Sequence, residues 1–458
     1  MTPNRAEPRT SPAAVAKPPP KLVSRFEPTV GVPEQPSPRA EKFVPKVPSN
    51  FNEAGLNEAF VETLVLKYLL GIGSATGGEI AKELCLPNGS VIELLQTLKG
   101  QQVVGYVGAA GFGDFTYTLS DLGRERARRY MLENMYVGPA PVPIEQYIDS
   151  VKAQTIAGLH PELNDLRRAF SDLLISDEMF EELGPAINSG RGMFMYGFPG
   201  NGKSSIAERI TRCFGDEVWI PKVVHCEGLI IKLFDPESHE PVQTSSSGLF
   251  RTADFDERWI KVTRPTIVAA GELTMDMLEV SYNETTRICV APLQMKSNTG
   301  TFVIDDFGRQ RMRPIELLNR WIVPLEKRHD YLTLPNGKKV RIPFDQLIIF
   351  STNLEPKDLV DEAFLRRIPY KINVPDPTEA QFRKLFEMFA PKLGLQVNWP
   401  AIDYFIDKYY KQTARPFRCC QPRDILMQIY NRCKYERKPF ELTPENFDFA
   451  ASMYFTVM

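Results

Sequence analysis

The chain has 458 residues, which is room for about two or three domains with a sizeable buried core. Its hydrophobic share of 43% and charged share of 24% are ordinary for a globular protein, and a formal net charge of −2 excludes attraction of nucleic acid by bulk charge. No apolar run approaches the roughly 20 residues that span a bilayer, and no signal-peptide core is visible. We therefore expect a cytoplasmic protein with no membrane partner.

Residues 1–50 are predicted to be a disordered tail. They hold 12 of the 38 prolines and few large apolar side chains, so they cannot bury enough surface to offset the entropy of ordering. Eight Lys or Arg stand against four Glu in this segment. A plain solvated tail and a basic tether for a partner are both compatible with that composition.

Residues 51–136 are predicted to form a small α/β domain. Apolar residues at helical spacing over 60–69 indicate a first helix, and two more helices are predicted at 78–84 and 91–98. Strands follow at 103–106 and 115–119 around a Gly-rich tip, and Ser120 is expected to cap a helix that runs through Tyr130. This order resembles a winged helix-turn-helix domain.

The charge of this domain leaves two kinds of partner open. In a winged helix the third helix enters the DNA major groove, and here it offers only Lys99 against Glu93. Phosphate contacts require clustered basic side chains, and the cluster in this domain lies on the last helix, interleaved with Glu125: Arg124, Arg126, Arg128 and Arg129. The pattern favours docking of a client protein, with DNA binding as the alternative.

After a linker at 137–170, residues 171–375 are predicted to form a nucleotide-binding domain. Residues 197–204 read GFPGNGKS and fit G-x-x-x-x-G-K-[ST], a loop whose backbone N–H groups cradle phosphates. An apolar strand at 193–196 precedes this loop, and apolar residues at helical spacing follow it, so a phosphate would sit at a helix N-terminus. The residues expected to bind the nucleotide are Gly197, Phe198, Pro199, Gly200, Asn201, Gly202, Lys203, Ser204 and Ser205.

Two further apolar strands are predicted to end in polar side chains. Residues 301–306 end in Asp305, placed to hold Mg²⁺ together with Ser204, and in Asp306, placed to orient or deprotonate the attacking water. Residues 346–353 end in Asn353, which can hydrogen-bond a phosphate and a water. The plainer alternatives are a strand-end cap for the acidic pair and a turn-forming Asn.

Three arginines complete the candidate catalytic set. Arg366 and Arg367 follow an apolar helical face, and guanidinium groups suit the charge on a transferring phosphoryl group, although such a pair is usually a solvated face. Arg423 lies in the first turn of a predicted helix, where a cation opposes the helix dipole, so its presence calls for another role.

Taken together and in this order, these motifs resemble those of AAA+ ATPases. GFPGNGKS corresponds to Walker A, TFVIDD to Walker B, Asn353 to sensor 1, FLRR to the arginine finger and PRDIL to sensor 2. The resemblance covers about residues 160–440 and implies a three-layer α/β P-loop sandwich with strand order 5-1-4-3-2, followed by a helical lid at 376–458. It also implies ATP and Mg²⁺ as ligands, and a ring, commonly a hexamer, in which a neighbouring subunit supplies the arginine finger.

The chain departs from the family pattern in two places. The second acid of Walker B is usually Glu, and Asp306 is one methylene shorter, which makes slow hydrolysis a hypothesis: Asp306→Glu should then keep or raise turnover. The region between the Walker motifs is long and contains predicted strands at 229–234 and 259–263. A hairpin predicted at 331–342 resembles the insertion before sensor 1 in the branch that includes MoxR-like ATPases, with Lys338 and Lys339 at its tip.

The sequence therefore predicts an ATP-driven AAA+ remodeller whose winged helix recruits a client protein. One alternative is a nucleotide-dependent regulator that binds DNA through the winged helix. Another is a slow or non-hydrolysing scaffold, against which the intact Asn353 and the arginines argue.

Overall fold

The computed structural model describes residues 43–111, 113–215, 217–243, 254–360 and 362–455. From Phe43 onward these residues form one compact unit. Most of the predicted tail lies outside the described residues. Its last part, residues 43–50, contacts the rest of the chain: the Phe43 ring meets the Trp259 ring edge-on at a centroid distance of 5.7 Å, and the carbonyl of Pro45 accepts a hydrogen bond from the backbone N–H of Asp256.

The helices lie along the whole described chain. In chain order they are α1 (Glu58–Ile72), α2 (Gly77–Leu84), α3 (Asn88–Gly100), α4 (Asp121–Glu133), α5 (Ile144–Ala153), α6 (Leu163–Ala169), α7 (Asp177–Asn188), α8 (Lys203–Ile210), α9 (Leu293–Lys296), α10 (Pro314–Lys327), α11 (Pro356–Leu359), α12 (Glu362–Leu365), α13 (Glu379–Phe389), α14 (Trp399–Ile406), α15 (Gln421–Glu436) and α16 (Pro444–Tyr454).

The strands all precede the C-terminal helices. In chain order they are β1 (Ser74–Thr76), β2 (Val104–Gly111), β3 (Asp114–Leu119), β4 (Val142–Pro143), β5 (Met193–Tyr196), β6 (Glu217–Pro221), β7 (Val223–Cys226), β8 (Leu229–Lys232), β9 (Trp259–Thr263), β10 (Thr266–Ala269), β11 (Ser281–Asn283), β12 (Ile288–Val290), β13 (Thr301–Ile304), β14 (His329–Thr333), β15 (Lys339–Pro343), β16 (Leu347–Thr352) and β17 (Tyr370–Asn373).

A five-stranded parallel sheet forms the centre of the molecule, in the order β10-β13-β16-β5-β17. Numbered within this sheet alone, that is the order 5-1-4-3-2 read from the other edge, as the resemblance implies. Successive side chains of a strand point to opposite faces. Met193 and Met195 of β5 accordingly pack with α7 and α8, while Phe194 packs with α10 on the other face. The predicted three-layer sandwich is confirmed.

The N-terminal part of the chain builds a three-stranded sheet beside helices α1 to α4. The sheet order is β1-β3-β2, and both pairings are antiparallel. Asn57, Thr76 and Ser120 cap α1, α2 and α4, because each side chain accepts a hydrogen bond from the backbone N–H of the third residue of its helix. The capping predicted for Ser120 is therefore present.

Residues 137–170, expected to be a linker, form β4, α5 and α6. Ile144, Tyr147 and Val151 of α5 are buried against a second sheet, which has the order β11-β12-β8-β7-β4. The strands predicted at 229–234 and 259–263 are β8 and β9. β8 belongs to this second sheet, and β9 pairs with β6 in an antiparallel ribbon.

The second sheet is joined to the N-terminal helices by a shared core. Val223, Ile230 and Ile288 are buried in the same cluster as the apolar residues of α1 to α4. Close by, Arg258 is 1% exposed, forms an ion pair of 2.7 Å with Asp256 and donates to the carbonyl of Ala54 at 2.8 Å. A charge buried this deeply is stable only when its partners are in place. The bond from Arg258 to Ala54 therefore fixes the segment before α1 to the segment before β9.

The predicted hairpin is formed by β14 and β15, with its turn at Asn336 and Gly337. Its apolar side chains are buried against the second sheet. At its tip Lys338 pairs with Glu227, and the Asn336 amide donates to the carbonyl of Glu227 at 3.3 Å. One of the two tip lysines is thus engaged within the chain, while Lys339 is exposed.

The C-terminal part of the chain is helical, as predicted for the lid. Helices α13 to α16 enclose an aromatic-rich core, in which Phe382, Phe386 and Phe405 are fully buried. None of the helices in the described ranges is both long and apolar enough to cross a membrane.

Candidate functional site

The candidate site residues meet at the carboxyl edge of the central sheet. The 197–204 loop follows β5, Asp305 and Asp306 follow β13, and Asn353 follows β16. These three strands are neighbours and run parallel, so their carboxyl ends lie side by side. Ligands of open α/β sheets bind at this edge, because the connections that follow the strands converge there.

The phosphate-type loop has the conformation that its glycines allow. Gly197, Gly200 and Gly202 have φ angles of +140°, +84° and +87°, in a region that other residues rarely adopt. A Cβ atom on Gly197 would also lie 2.4 Å from the carbonyl oxygen of Val374. The loop leads into α8, whose N-terminal backbone N–H groups make its end suited to an anion.

Lys203 has three hydrogen-bond partners in the site. Its Nζ donates to the carbonyls of Gly197 and Phe198 at 2.9 and 3.0 Å and to Asn353 Oδ1 at 2.6 Å. Burial lowers the pKa of Lys203, while the negative charges of Asp305 and Asp306 act in the opposite direction. The ammonium therefore lies in a buried site with carboxylates nearby.

Each carboxylate of the acidic pair has a different partner. The Ser204 hydroxyl donates to Asp305 Oδ2 at 2.7 Å, and the Asn353 amide donates to Asp306 Oδ1 at 3.0 Å. Asn353 thus bridges Lys203 and Asp306. Asp306 has a φ of +48° and is exposed, whereas Asp305 is half-buried.

A cavity of about 480 Å³ joins these groups to the lid. Apart from Gly197 and Phe198, all the predicted loop residues line it, together with Asp305, Asp306, Asn353 and Arg423. One end is apolar, formed by the segment before α7 and by lid helix α13. The cavity residues that the sequence analysis did not single out for this site are Leu173, Leu174, Ile175, Ile206, Arg309, Leu385, Phe389, Cys419 and Cys420.

Parts of the chain are similar to known proteins. A domain of unknown function (DUF8689) matches residues 378–453. The curated vesicle-fusing ATPase of Dictyostelium discoideum is 26% identical over 241 residues, which cover 52% of this chain and 26% of that protein. The chain is thus similar to an ATPase over about half of its length.

Two solved structures are also similar. NtrX from Brucella abortus in complex with ATP is 13% identical, with a TM-score of 0.38, over 62% of this chain and 58% of that one. A RuvB mutant from Thermotoga maritima is 11% identical, with a TM-score of 0.37, over 63% of this chain and 73% of that one. Both likenesses are too distant to carry an argument. The matched region of the curated relative is about a quarter of that protein's length.

The three predicted arginines lie in different settings. Arg423 lines the cavity from the start of α15 and pairs with Asp424 at 2.9 Å. Arg366 and Arg367, just after α12, do not line the cavity. Arg366 is exposed, and Arg367 Nε donates to Glu326 at 2.6 Å.

The predicted lid is tied directly to the phosphate-type loop. The Asn201 amide donates to Asp376 Oδ1 at 2.7 Å, and Asp376 also forms an ion pair with Arg418. The Arg418 guanidinium lies 4.4 Å from the centre of the Phe198 ring, and the backbone N–H of Cys420 donates to the carbonyl of Gly200 at 2.8 Å. These contacts connect the loop with the segment before α15.

The apolar end of the cavity had no signal in the sequence. Leu173 and Ile175 precede α7 as ordinary apolar residues, and Phe389 ends an amphipathic helix. Such residues are usually read as core, and only the fold shows that they meet beside the loop. Arg309 had a weak signal, since it stands three residues after Asp306.

Proposed function

We propose that this AAA+ chain binds ATP with Mg²⁺ in the cavity and hydrolyses it between the subunits of a cytoplasmic ring, most simply a hexamer. In this proposal the cycle remodels a client protein recruited by residues 51–136 as a winged helix. Residues 171–375 act as the nucleotide domain and residues 376–458 as the lid.

The observation that carries the proposal is the pair of contacts made by Asn353. One amide connects Lys203, at the phosphate-type loop, with Asp306, at the end of another strand. Asn353 thereby holds two groups at a fixed separation: a lysine that would contact phosphates and a carboxylate that would contact a water. That arrangement suits attack on a terminal phosphate and has no use in a merely structural loop.

The residues at the candidate metal position fit Mg²⁺. Mg²⁺ prefers hard oxygen ligands, and the Ser204 hydroxyl and the Asp305 carboxylate lie within 2.7 Å of each other. Ser204 would bind the ion directly, and Asp305 would hold it through water. When bound, Mg²⁺ neutralises phosphate charge.

The remaining steps are assigned to the chain's own side chains. Lys203 exchanges its loop carbonyls for the β- and γ-phosphates. Asp306 and Asn353 orient the water, and Asp306 takes its proton as the water attacks in line with the leaving oxygen. Arg423 from the lid and Arg366 or Arg367 from a neighbouring subunit stabilise the charge that develops on the transferring group.

The N-terminal region supports a protein client better than DNA. Its sheet has the order β1-β3-β2, with β1 between α1 and α2 and with β2 and β3 between α3 and α4, which supports the winged-helix proposal. The exposed face of α3 carries Lys99 and Glu93, and Lys99 Nζ lies 3.4 Å from the centre of the Tyr106 ring. Residues 50–52, Leu56 and Glu58 line a cavity together with α3, so they lie beside that face. A face with balanced charge suits a protein surface better than phosphates.

Binding of ATP to a Lys203→Ala variant tests the proposal. Loss of the charge-assisted contacts should weaken ATP binding by about a hundredfold and abolish phosphate release. Isothermal titration and a phosphate-release assay measure the two effects. Lys339→Ala is the control, since it removes an exposed lysine of the hairpin turn and should change neither. Equal ATP affinity of the wild-type and Lys203→Ala chains would refute the site.

A further inference from the structure

The loop that follows β13 is held in one conformation by backbone contacts. The Phe307 N–H donates to the carbonyl of Ser351 at 2.7 Å, and the Thr352 hydroxyl donates to the carbonyl of Phe307 at 2.9 Å. The Phe307 ring is buried beside Phe194 and Phe350, with centroid distances of 6.0 and 4.9 Å. The start of the loop is therefore fixed to β16 and to the core.

Gln310 closes the loop on itself. Its side-chain amide donates to the carbonyl of Asp305 at 2.9 Å, and its side-chain oxygen accepts from the Gly308 N–H at 2.8 Å. The Arg309 N–H donates to the carbonyl of Asp306 at 3.0 Å. Because hydrogen bonds hold both ends of the loop, the backbone of Arg309, which lies between them, has a fixed position.

Arg309 is an exposed residue at the wall of the nucleotide cavity. It lines the cavity along with Lys203, Asp306 and Asn353. Within the described part of the chain its guanidinium has no hydrogen bond or ion pair, whereas each of those three side chains has a partner in the site. A guanidinium has five N–H donors and matches phosphate oxygens in a bidentate fork.

The position of Arg309 decides which part of a nucleotide it meets. The apolar residues Leu173, Ile175 and Phe389 form the end suited to a base. Arg309 stands on the loop of Asp305 and Asp306, at the end where the metal and the attacking water would lie. A cation there meets the last phosphate of a nucleotide and not its base or ribose.

We propose that Arg309 binds the terminal phosphate of ATP within its own subunit and makes the site select nucleoside triphosphates over diphosphates. This role is separate from those of Arg366, Arg367 and Arg423, and it rests on the proposed function of the cavity. ADP lacks the group that Arg309 contacts. The side chain therefore adds affinity for ATP and none for ADP.

Equilibrium binding of two nucleotides to three chains tests the inference. The probes are ADP and a non-hydrolysable ATP analogue, both with Mg²⁺, and the chains are wild type, Arg309→Ala and Arg311→Ala. Arg311 is exposed on the same segment and does not line the cavity, so it controls for loss of one positive charge. Arg309→Ala should weaken binding of the ATP analogue about 10-fold to 100-fold and change ADP binding less than about twofold.

Other outcomes have definite meanings. Loss of ATP-analogue and ADP binding in equal measure, or of neither, would overturn the inference. The same selective loss in Arg311→Ala would overturn it too, because the effect would then be one of overall charge. A wild-type chain that binds neither nucleotide contradicts the proposed function itself. Should Arg309→Ala fail to fold, Arg309→Lys keeps the charge without the fork and should show a smaller loss of ATP-analogue binding alone.

Discussion

At the scale of single residues, Asp306 has a structural reason to be Asp. Its φ of +48° lies in the left-handed region, which Asn and Asp adopt more readily than longer side chains. The chain turns there immediately after β13, and the carbonyl of Asp306 accepts from the Arg309 N–H to close the turn. The shorter acid therefore suits the backbone, whatever its effect on catalysis.

Substitution of Asp306 separates its effect on catalysis from its effect on stability. Asp306→Glu should keep or raise turnover, because its carboxylate reaches further towards the water. It should also lower the free energy of unfolding by about 1 kcal/mol, because Glu is less suited to this backbone. Phosphate release and chemical denaturation measure the two quantities.

Asp306→Asn is the matched control. Asn tolerates the same backbone and keeps an oxygen for the Asn353 amide, so stability and ATP binding should be retained. Without a base, turnover should fall about a hundredfold or more. If Asp306→Glu loses turnover to the same extent, slow hydrolysis caused by a short acid is excluded.

Residues with a motif of their own could be predicted from the sequence, and residues placed by the fold could not. Lys203, Ser204 and Asp305 were predicted because their spacing from glycines and apolar strands is diagnostic, and the structure brings all three together. Phe389 carries no such spacing, and Arg309 has only a weak signal in its position three residues after Asp306. Their place in the cavity depends on how the lid and the loop after β13 pack.

At the scale of elements, the lid is fastened to the nucleotide loop by Asp376. This carboxylate holds the Asn201 amide on one side and the Arg418 guanidinium on the other. Arg418 in turn covers the Phe198 ring. A change in the loop therefore alters the contacts that position α15, which begins just after Arg418.

Removing this carboxylate should loosen the lid. Asp376→Ala leaves the Arg418 charge, 17% exposed, without its ion-pair partner, at a cost of about 1–3 kcal/mol. The amides of Cys419 and Cys420, which donate to Asn201 and Gly200, should then exchange hydrogen about tenfold faster or more. Hydrogen exchange measured by mass spectrometry reports these amides.

Glu436→Ala is the control for the lid. It breaks the Arg432–Glu436 pair at the far end of α15, so exchange near Cys420 should not change. Unchanged exchange in Asp376→Ala would mean that other contacts hold the lid.

The hairpin shows the limit of sequence reasoning for elements. The Asn336–Gly337 turn and the alternating strands were enough to predict β14 and β15. The docking of the tip on Glu227 was not predictable, since it depends on a residue in a different sheet, far away in the sequence. Local pattern determines an element, but its contacts come from the whole chain.

At the scale of the whole molecule, the positions of Arg366 and Arg367 bear on assembly. Neither residue lines the cavity of its own chain, which supports supply of an arginine by a neighbour in a ring. Assembly is also the level at which the sequence is least informative. The surfaces that would meet between copies have no motif.

Mixing two inactive variants tests this arrangement. A Lys203→Ala chain cannot bind ATP but keeps its arginines, and an Arg366→Ala, Arg367→Ala double variant binds ATP without them. If the arginine comes from a neighbour, the mixture should recover hydrolysis to roughly a quarter of the wild-type rate, because about one interface in four joins an intact site to intact arginines. Each variant alone, at the same total concentration, is the control. A mixture as inactive as its components would contradict an arginine supplied by a neighbour.

The buried ion pair of Arg258 and Asp256 has a mechanical consequence. The pair holds Arg258 in place to donate to the carbonyl of Ala54, and this bond and the shared core together fix the N-terminal helices as a rigid arm on the rest of the described chain. In the proposed ring, a partner bound to this arm would move together with each rotation of its subunit. A small rotation between neighbouring subunits at the cavity would then produce a larger displacement at the end of the arm. That displacement would grow with the length of the arm.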